Sequence, residues 1–342
     1  MYNRLNDVLS GTEANYMLPF YWQHGDHTDT IPEEVERIYQ SGCRALCVES
    51  RPHRDFCGDG WWRDMDIILA ESEKRGMKVW ILDDDHFPTG HAVGQIKNHP
   101  ELRKWQLVER HVDVMGPLTD ALLPADNTNA DHILLGVYAY PRTGEGEDCA
   151  PEPFCLTDGV SGKFLQFTVP EGCWRIFFLY KSRKGTRQTD YIDMLREESV
   201  RVLIDAVYES HWAHYAKYFG NTIAGFFSDE PELGNGAMYA KDNFLGTEQD
   251  LPWGGTIEKE VSAALGENWK EKLHLLWRDG EEAAQVRSKY MDVLTKLVRS
   301  AFSQPVAAWC REHGVRYIGH VIEDDGQHCR TGSSLGHYFR GL

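Results

Sequence analysis

A regular alternation of short apolar strands and amphipathic helices is the feature that most constrains this fold. Parallel strands need crossover connections of a dozen or more residues, usually helices, so the alternation predicts an α/β protein with a parallel sheet. The predicted strands cover residues 17–22, 44–49, 78–82, 222–227 and 315–321.

Local signals place the helices between these strands. The first helix has Thr30 as its N-cap, Pro32 in its first turn and Glu33 three residues after the cap, which predicts a capping box. It ends at Gly42. An apolar face from Trp61 to Ser72 predicts the second helix, and a third long helix follows Asp193.

A different pattern separates the third predicted strand from the fourth. Short β-type runs lie at 108–114, 133–140, 163–169 and 173–181, and Pro170-Glu171-Gly172 predicts a tight turn between the last two. We therefore expect a small inserted all-β domain over 106–185. Units 1–3 of the main fold would occupy 1–105, and units 4–5 would occupy 186–342.

Polar clusters follow the carboxyl end of every predicted strand, at 23–26, 49–51, 83–86, 228–230 and 320–325. A (β/α)8 barrel of the TIM type keeps its active site at that end of its strands. A dinucleotide-binding fold is disfavoured because no GxGxxG motif follows the first strand. The sequence thus predicts a TIM-type barrel.

Five β/α units fall short of the eight that a barrel needs, and the sequence stops at Leu342 within the fifth helix. We therefore expect an incomplete barrel with two open sheet edges, which favour pairing with another chain. The missing walls would come from a C-terminal segment or from a homo-oligomer.

Composition restricts the partners. The net charge of −17 argues against nucleic acid and anionic membranes, and no apolar run reaches the roughly 20 residues of a membrane span. The eight cysteines form no CxxC pair, and the N-terminus shows no export signal. A cytoplasmic protein with a neutral ligand is expected.

Glu230 is the strongest candidate for chemistry. It follows Phe226 and Phe227 at a strand end, with Asp229 beside it. A partly apolar pocket and a neighbouring carboxylate both favour a protonated carboxyl group. Cleavage of a glycosidic bond needs one such proton donor and a second carboxyl group that attacks the sugar or activates water.

Three segments carry a family resemblance. Residues 78–90, KVWILDDDHFPTG, resemble the WIYDE-x-x-WPSG segment of bacterial glycoside hydrolase barrels related to the calcium-dependent α-L-rhamnosidases. Residues 225–231 resemble the GFFTDEP strand of the same group, and 319–325 resemble its GH motif with following acidic residues. Asp84 stands where that group has Glu.

The motif Asp229-Glu230-Pro231 is also similar to the Asn-Glu-Pro of the large retaining glycosidase clan, in which the Glu is the acid/base and the Asn contacts the sugar 2-hydroxyl. Asp229 departs from that Asn. The resemblance therefore implies an acid role for Glu230 and leaves the choice between retention and inversion open.

Glu323 is the candidate second carboxylate, with Asp324 and Asp325 as competitors. Arg51 could hold sugar hydroxyls or a uronate carboxylate, or simply pair with Asp83 or Glu49. The predicted substrate-binding residues are Trp22, His24, Arg51, Asp84, Asp85, Asp229 and His320, with oligosaccharides or glycosides as ligands.

Two alternatives remain at this point. Asp84, Asp85 and the acidic run at 323–325 offer oxygen ligands for calcium, although the EF-hand spacing is absent. A metal-dependent hydrolase would use His24, Asp84 or Asp85, and His320. A catalytically inactive carbohydrate-binding barrel is the other alternative.

Overall fold

The computed structural model describes residues 17–144, 149–184, 189–233, 250–321 and 338–341, together with Asn6, Leu9 and Leu245. The strands and α-helices follow one another in this order: β1 (Phe20–Trp22), α1 (Ile31–Gln40), β2 (Ala45–Glu49), α2 (Asp59–Lys74), β3 (Lys78–Leu82), β4 (Gln106–Pro124), β5 (His132–Pro141), β6 (Phe154–Cys155), β7 (Val160–Ser161), β8 (Phe164–Ser182), α3 (Glu197–Leu203), α4 (Ser210–Tyr215), β9 (Ile223–Ser228), β10 (Leu251–Pro252), α5 (Ile257–Leu265), α6 (Trp269–Lys272), α7 (Ala283–Val298), α8 (Gln304–Glu312), β11 (Arg316–Gly319) and α9 (Tyr338–Gly341).

The chain divides into two compact units. Unit 1 contains 1–100, 198–232 and 304–322, and unit 2 contains 101–197, 233–303 and 323–342. The domain boundaries expected from the sequence, at 105 and 185, stay a prediction.

Unit 1 is built on a five-stranded sheet in the order β1-β2-β3-β9-β11. Every neighbouring pair in it is parallel. The predicted alternation and all five strands are therefore confirmed as a mixed α/β fold with a parallel sheet. A closed barrel is not confirmed, because the sheet stays open among the described residues.

The helix-facing side of this sheet carries an apolar core. Val79, Ile81 and Phe226 are fully buried there. The ring of Tyr208, from the π-helical turn that joins α3 to α4, stacks on Phe226 with ring centroids 4.2 Å apart. The sequence predicted one long helix after Asp193; the structure breaks it at this turn. Widened π-turns are often found at functional sites.

The opposite side of the sheet carries a second cluster, formed by Cys47, Trp80, Leu82 and Phe227. Alternation along the strands places these residues on one face. Gly225 is required beside Trp80, because a Cβ atom there would lie 2.5 Å from the indole and 2.0 Å from the carbonyl oxygen of Arg316. The carboxyl-terminal rim of this face holds the candidate site.

Unit 2 contains an antiparallel sheet in the order β10-β4-β8-β5-β6, with β7 paired to β8. The predicted tight turn at 170–172 is wrong, because β8 runs through it as one strand. The ladder with β4 shifts its register between Gly116 and Leu118, opposite this segment. Since proline cannot donate to a ladder, Pro170 is accommodated at that irregularity.

Helix α1 begins after Thr30 as predicted, but its expected capping box is absent. The Thr30 hydroxyl donates to the His27 carbonyl and contacts Glu34 instead of a backbone amide. Within the described ranges, no helix combines the length and the apolar character needed to cross a membrane.

Candidate functional site

A cavity of about 460 Å³ opens at the carboxyl-terminal rim of the parallel sheet in unit 1. Its lining comes from the segments that follow four strands: Trp22 from β1, Arg51 and Pro52 after β2, Asp85, His86 and Phe87 after β3, and Asp229 after β9. Strand ends of a parallel sheet meet at one rim, which explains why residues distant in sequence converge here.

Arg51 organises the floor of the cavity. Its guanidinium Nη2 donates to Glu49 Oε2 at 2.7 Å and lies 2.9 Å from Asp229 Oδ2, while Nε donates to the other oxygen of Glu49. Of the two partners proposed from sequence, Glu49 is right. Asp83 is wrong, because it faces the helix side of the sheet.

Glu49 is fully buried, and its ion-pair partner Arg51 is half-buried at the cavity. Burial raises the pKa of the fully buried Glu49, partly offset by Arg51, whereas the two neighbouring carboxylates raise the pKa of Arg51. Removing one partner would leave an uncompensated charge, which is strongly destabilising. The pair is thus a fixed element of the site.

Asp229 is held from both sides. Oδ2 contacts Arg51, and Oδ1 lies 3.2 Å from His320 Nδ1. Its backbone is fixed by Thr89, whose hydroxyl accepts from the Asp229 amide at 2.9 Å. The structure therefore brings three of the predicted site residues, Arg51, Asp229 and His320, into direct polar contact.

Two aromatic rings flank Arg51. Its guanidinium carbon lies 5.8 Å from the Trp22 ring centroid and 5.3 Å from that of Phe87. Trp22 is 54% exposed and Phe87 37% exposed. Exposed rings beside polar groups suit the flat C–H faces of a sugar.

Asp85 brings a carboxyl group into the same cavity. Burial, together with the neighbouring Asp84, raises its pKa to about 6. A carboxyl group with this pKa exchanges a proton near neutral pH, as a general acid must.

Asp84, whose substrate-binding role stays a prediction, lies among backbone donors of its own loop. It is fully buried, and its carboxylate accepts backbone N–H groups of Asp85, Gly90, Ala92 and Val93 at 2.7–3.1 Å. Burial raises its pKa against these hydrogen bonds. Asp84 shapes the loop after β3 and does not line the cavity.

Asp83 belongs to a buried polar cluster. It accepts from Thr89 Oγ1 at 2.7 Å, from the Tyr208 hydroxyl at 2.6 Å and from the Ser228 hydroxyl. Burial still raises its pKa to about 6. These bonds tie β3 to β9 and to the π-turn, directly behind the cavity.

Glu230 lies one residue beyond Asp229 but is not among the residues that line the cavity. It is buried, with 3% of its surface exposed. Its φ of +44° falls in the left-handed region, which is uncommon for a residue other than glycine, asparagine or aspartate. Such outliers cluster at functional sites, and the inference runs from the outlier to a hypothesis.

The other predicted residues are not brought together. His24 is exposed and does not line the cavity. Glu323, Asp324 and Asp325 lie outside the described residues. Sequence reasoning missed Phe87 and Pro52; Phe87 could have been found, since it stands where the resembling segment has the Trp of WPSG.

The described residues do not fit a calcium site. Four backbone N–H groups donate to the Asp84 carboxylate. Their positively polarised hydrogens disfavour a cation at the same oxygen atoms. Within the ranges that the structure describes, no group of three His, Cys, Asp or Glu side chains is arranged to hold a metal ion.

Comparison with known proteins gives a fold likeness. No family model matches the chain, and no curated protein matches it. Among solved structures, it is similar to a rhamnosidase from Novosphingobium sp. PP1Y, with a TM-score of 0.55 and 10% identity. The match covers 94% of this chain and 48% of that one, so the chain spans about half the length of this neighbour.

Proposed function

We propose that this chain is part of a glycoside hydrolase whose carboxyl groups act at the rim cavity of unit 1. The observation that carries the proposal is the cavity itself, in which the carboxyl groups of Asp85 and Asp229 lie with the exposed rings of Trp22 and Phe87. Glycoside hydrolysis requires a pair of carboxyl groups at the scissile bond, and the exposed rings suit the flat faces of a sugar. The distant likeness to a rhamnosidase supports this class of reaction.

The roles follow from the surroundings of each group. Asp229, in contact with Arg51 and His320, suits the carboxylate that attacks the sugar or activates water. Two residues are candidates for the proton donor. The sequence motif favours Glu230, whereas the position in the cavity and the pKa of about 6 favour Asp85. Glu323 stays a candidate second carboxylate from the sequence.

We further propose that the open sheet is part of a (β/α)8 barrel. Its five parallel strands follow one another in the order of the sequence, as barrel strands do. The substrate would be an oligosaccharide or a simple glycoside, with α-L-rhamnosides among the first to test.

Leaving-group dependence separates the two donor candidates. A 2,4-dinitrophenyl glycoside releases a stable phenolate without protonation, whereas the alkoxide leaving group of an alkyl glycoside needs a proton from an acid. Loss of the donor should therefore abolish cleavage of the alkyl glycoside and largely spare the dinitrophenyl one. Asp85→Asn and Glu230→Gln are compared on both substrates, beside Asp229→Asn, which should impair both.

Arg37→Met is the control, since Arg37 pairs with Glu33 on the exposed face of α1. If wild type and all three carboxyl variants hydrolyse every glycoside at the background rate, the chain is not a glycosidase, and the inactive carbohydrate-binding alternative gains. If only Glu230→Gln shows the donor pattern, Asp85 is not the acid.

A further inference from the structure

A second feature of the cavity concerns which sugars it accepts. Arg51 is the only Arg or Lys among the residues that line it, within the part of the chain described. A guanidinium in a sugar site commonly binds a carboxylate of the ligand, through two parallel hydrogen bonds. Here the side-on pair of donors, Nε and Nη2, is already used.

Glu49 is the residue that accepts these two hydrogen bonds. Its two oxygens take Nε and Nη2 of Arg51, the side-on pair of donors that a uronate would otherwise engage. Glu49 is fully buried and does not line the cavity, so a ligand in the cavity does not contact it directly. Asp229 takes Nη2 as well.

The charge around the cavity points in the same direction. The single guanidinium is paired with Glu49 and Asp229, and Asp85 adds a third carboxyl group to the cavity, so an entering anion meets an excess of negative charge. The rings of Trp22 and Phe87, which flank Arg51, carry no charge that could compensate for these carboxyl groups.

We propose that Glu49 is a specificity-determining residue, which occupies Arg51 from within the protein and restricts the cavity to uncharged sugar rings. This inference rests on the proposed sugar-binding function and deepens it. It replaces the uronate role that Arg51 could have had on sequence grounds.

The test uses pairs of methyl glycosides that differ only at C6: glucoside with glucuronide, and galactoside with galacturonide. Binding is measured by NMR titration at pH 8, where Asp85 is ionised. In wild type the uronide should bind at least about tenfold more weakly than its neutral partner, since like charges a few ångströms apart repel at that scale.

Two further measurements separate specificity from folding. Glu49→Gln should reduce the affinity difference between the neutral glycoside and its uronide by about tenfold, because it removes one negative charge and weakens the hydrogen bonds to Arg51. Arg37→Met should leave this affinity difference unchanged. In 1 M salt the affinity difference measured for wild type should become several-fold smaller, because salt screens the charges. This measurement needs no variant.

A uronide that binds wild type as well as its neutral partner would overturn this inference while leaving the hydrolase proposal intact. An affinity difference insensitive to both salt and Glu49→Gln would also overturn it. Selective binding without any hydrolysis would support the inference and count against the hydrolase. Failure of every sugar to bind would defeat both.

Discussion

Replacing Asp84 by alanine tests whether this residue is a structural part of the loop after β3. Its carboxylate accepts four backbone N–H groups, and the amides of Gly90 and Ala92 lie in fully buried positions. Each buried donor left without an acceptor costs about 1–3 kcal/mol. Two such donors give roughly 2–6 kcal/mol, reduced by the recovered cost of burying a charge.

We therefore expect Asp84→Ala to lower the free energy of unfolding by about 3 kcal/mol, and Asp84→Asn by about 2 kcal/mol, since an amide oxygen can still accept some of the four bonds. Urea denaturation followed by circular dichroism measures both values. Hydrogen exchange at the amides of Gly90, Ala92 and Val93 should accelerate in both variants.

Asp85→Asn is the matched control, because it removes the same charge one residue further along. The Asp85 side chain lies in the cavity, and burial already disfavours its charge. Its replacement should change stability by less than about 0.5 kcal/mol or raise it. If Asp84→Ala costs less than about 1 kcal/mol, or no more than Asp85→Asn, the structural role assigned to Asp84 is wrong.

Tyr208→Phe removes the hydroxyl that donates to Asp83 and should cost about 1–2 kcal/mol at pH 8; the loss should be smaller in urea melts at pH 5, where Asp83, with a pKa of about 6, is mostly protonated. His211 is fully buried with its pKa lowered to about 4, below the value near 6.5 of an unfolded chain, so its contribution to stability is present above pH 6.5 and is lost as the pH falls toward 4. His211→Phe should remove up to about 3 kcal/mol of that pH dependence, seen as the difference between wild-type and variant urea midpoints at pH 7 and pH 4.5. If Asp85 is the proton donor, kcat/KM on an alkyl glycoside should fall above about pH 6, and a profile that stays level up to pH 8 would contradict that role.

The sequence predicted the parallel sheet because crossover topology leaves a strong pattern. Five predicted strands are each followed by polar residues, and that pattern can be recognised without any knowledge of packing. It failed at 170–172, where proline and glycine usually mark a turn. A long partner strand with a shifted register can absorb the same residues, and only the pairing of β4 with β8 reveals it.

The site was harder to predict than the sheet. Arg51, Asp229 and His320 were identified because each follows a strand end, and the structure brings them together. Phe87 was missed because an exposed aromatic residue in a loop carries no periodic signal. The choice between Glu49 and Asp83 as partner of Arg51 depends on which side of the sheet each faces, a matter that residue types alone do not decide.

The run Asp83-Asp84-Asp85 shows why a cluster of carboxylates cannot be assigned as a unit. Leu82 faces the side of the sheet that carries Cys47 and Phe227, so strand alternation turns Asp83 to the helix side, where Tyr208 and Ser228 bind it. The strand ends there, and the chain wraps around Asp84 as the acceptor of its loop amides. Only Asp85 is left to face the cavity.

Because the first two carboxylates hold β9 and the loop in place, the position of the third depends on them. Substitutions at Asp83 or Asp84 should therefore reduce any activity of the cavity through the placement of Asp85, and an activity assay alone would mistake them for catalytic residues. Stability measurements separate the two cases: Asp83 and Asp84 should lose stability together with activity, whereas Asp85→Asn should change activity alone.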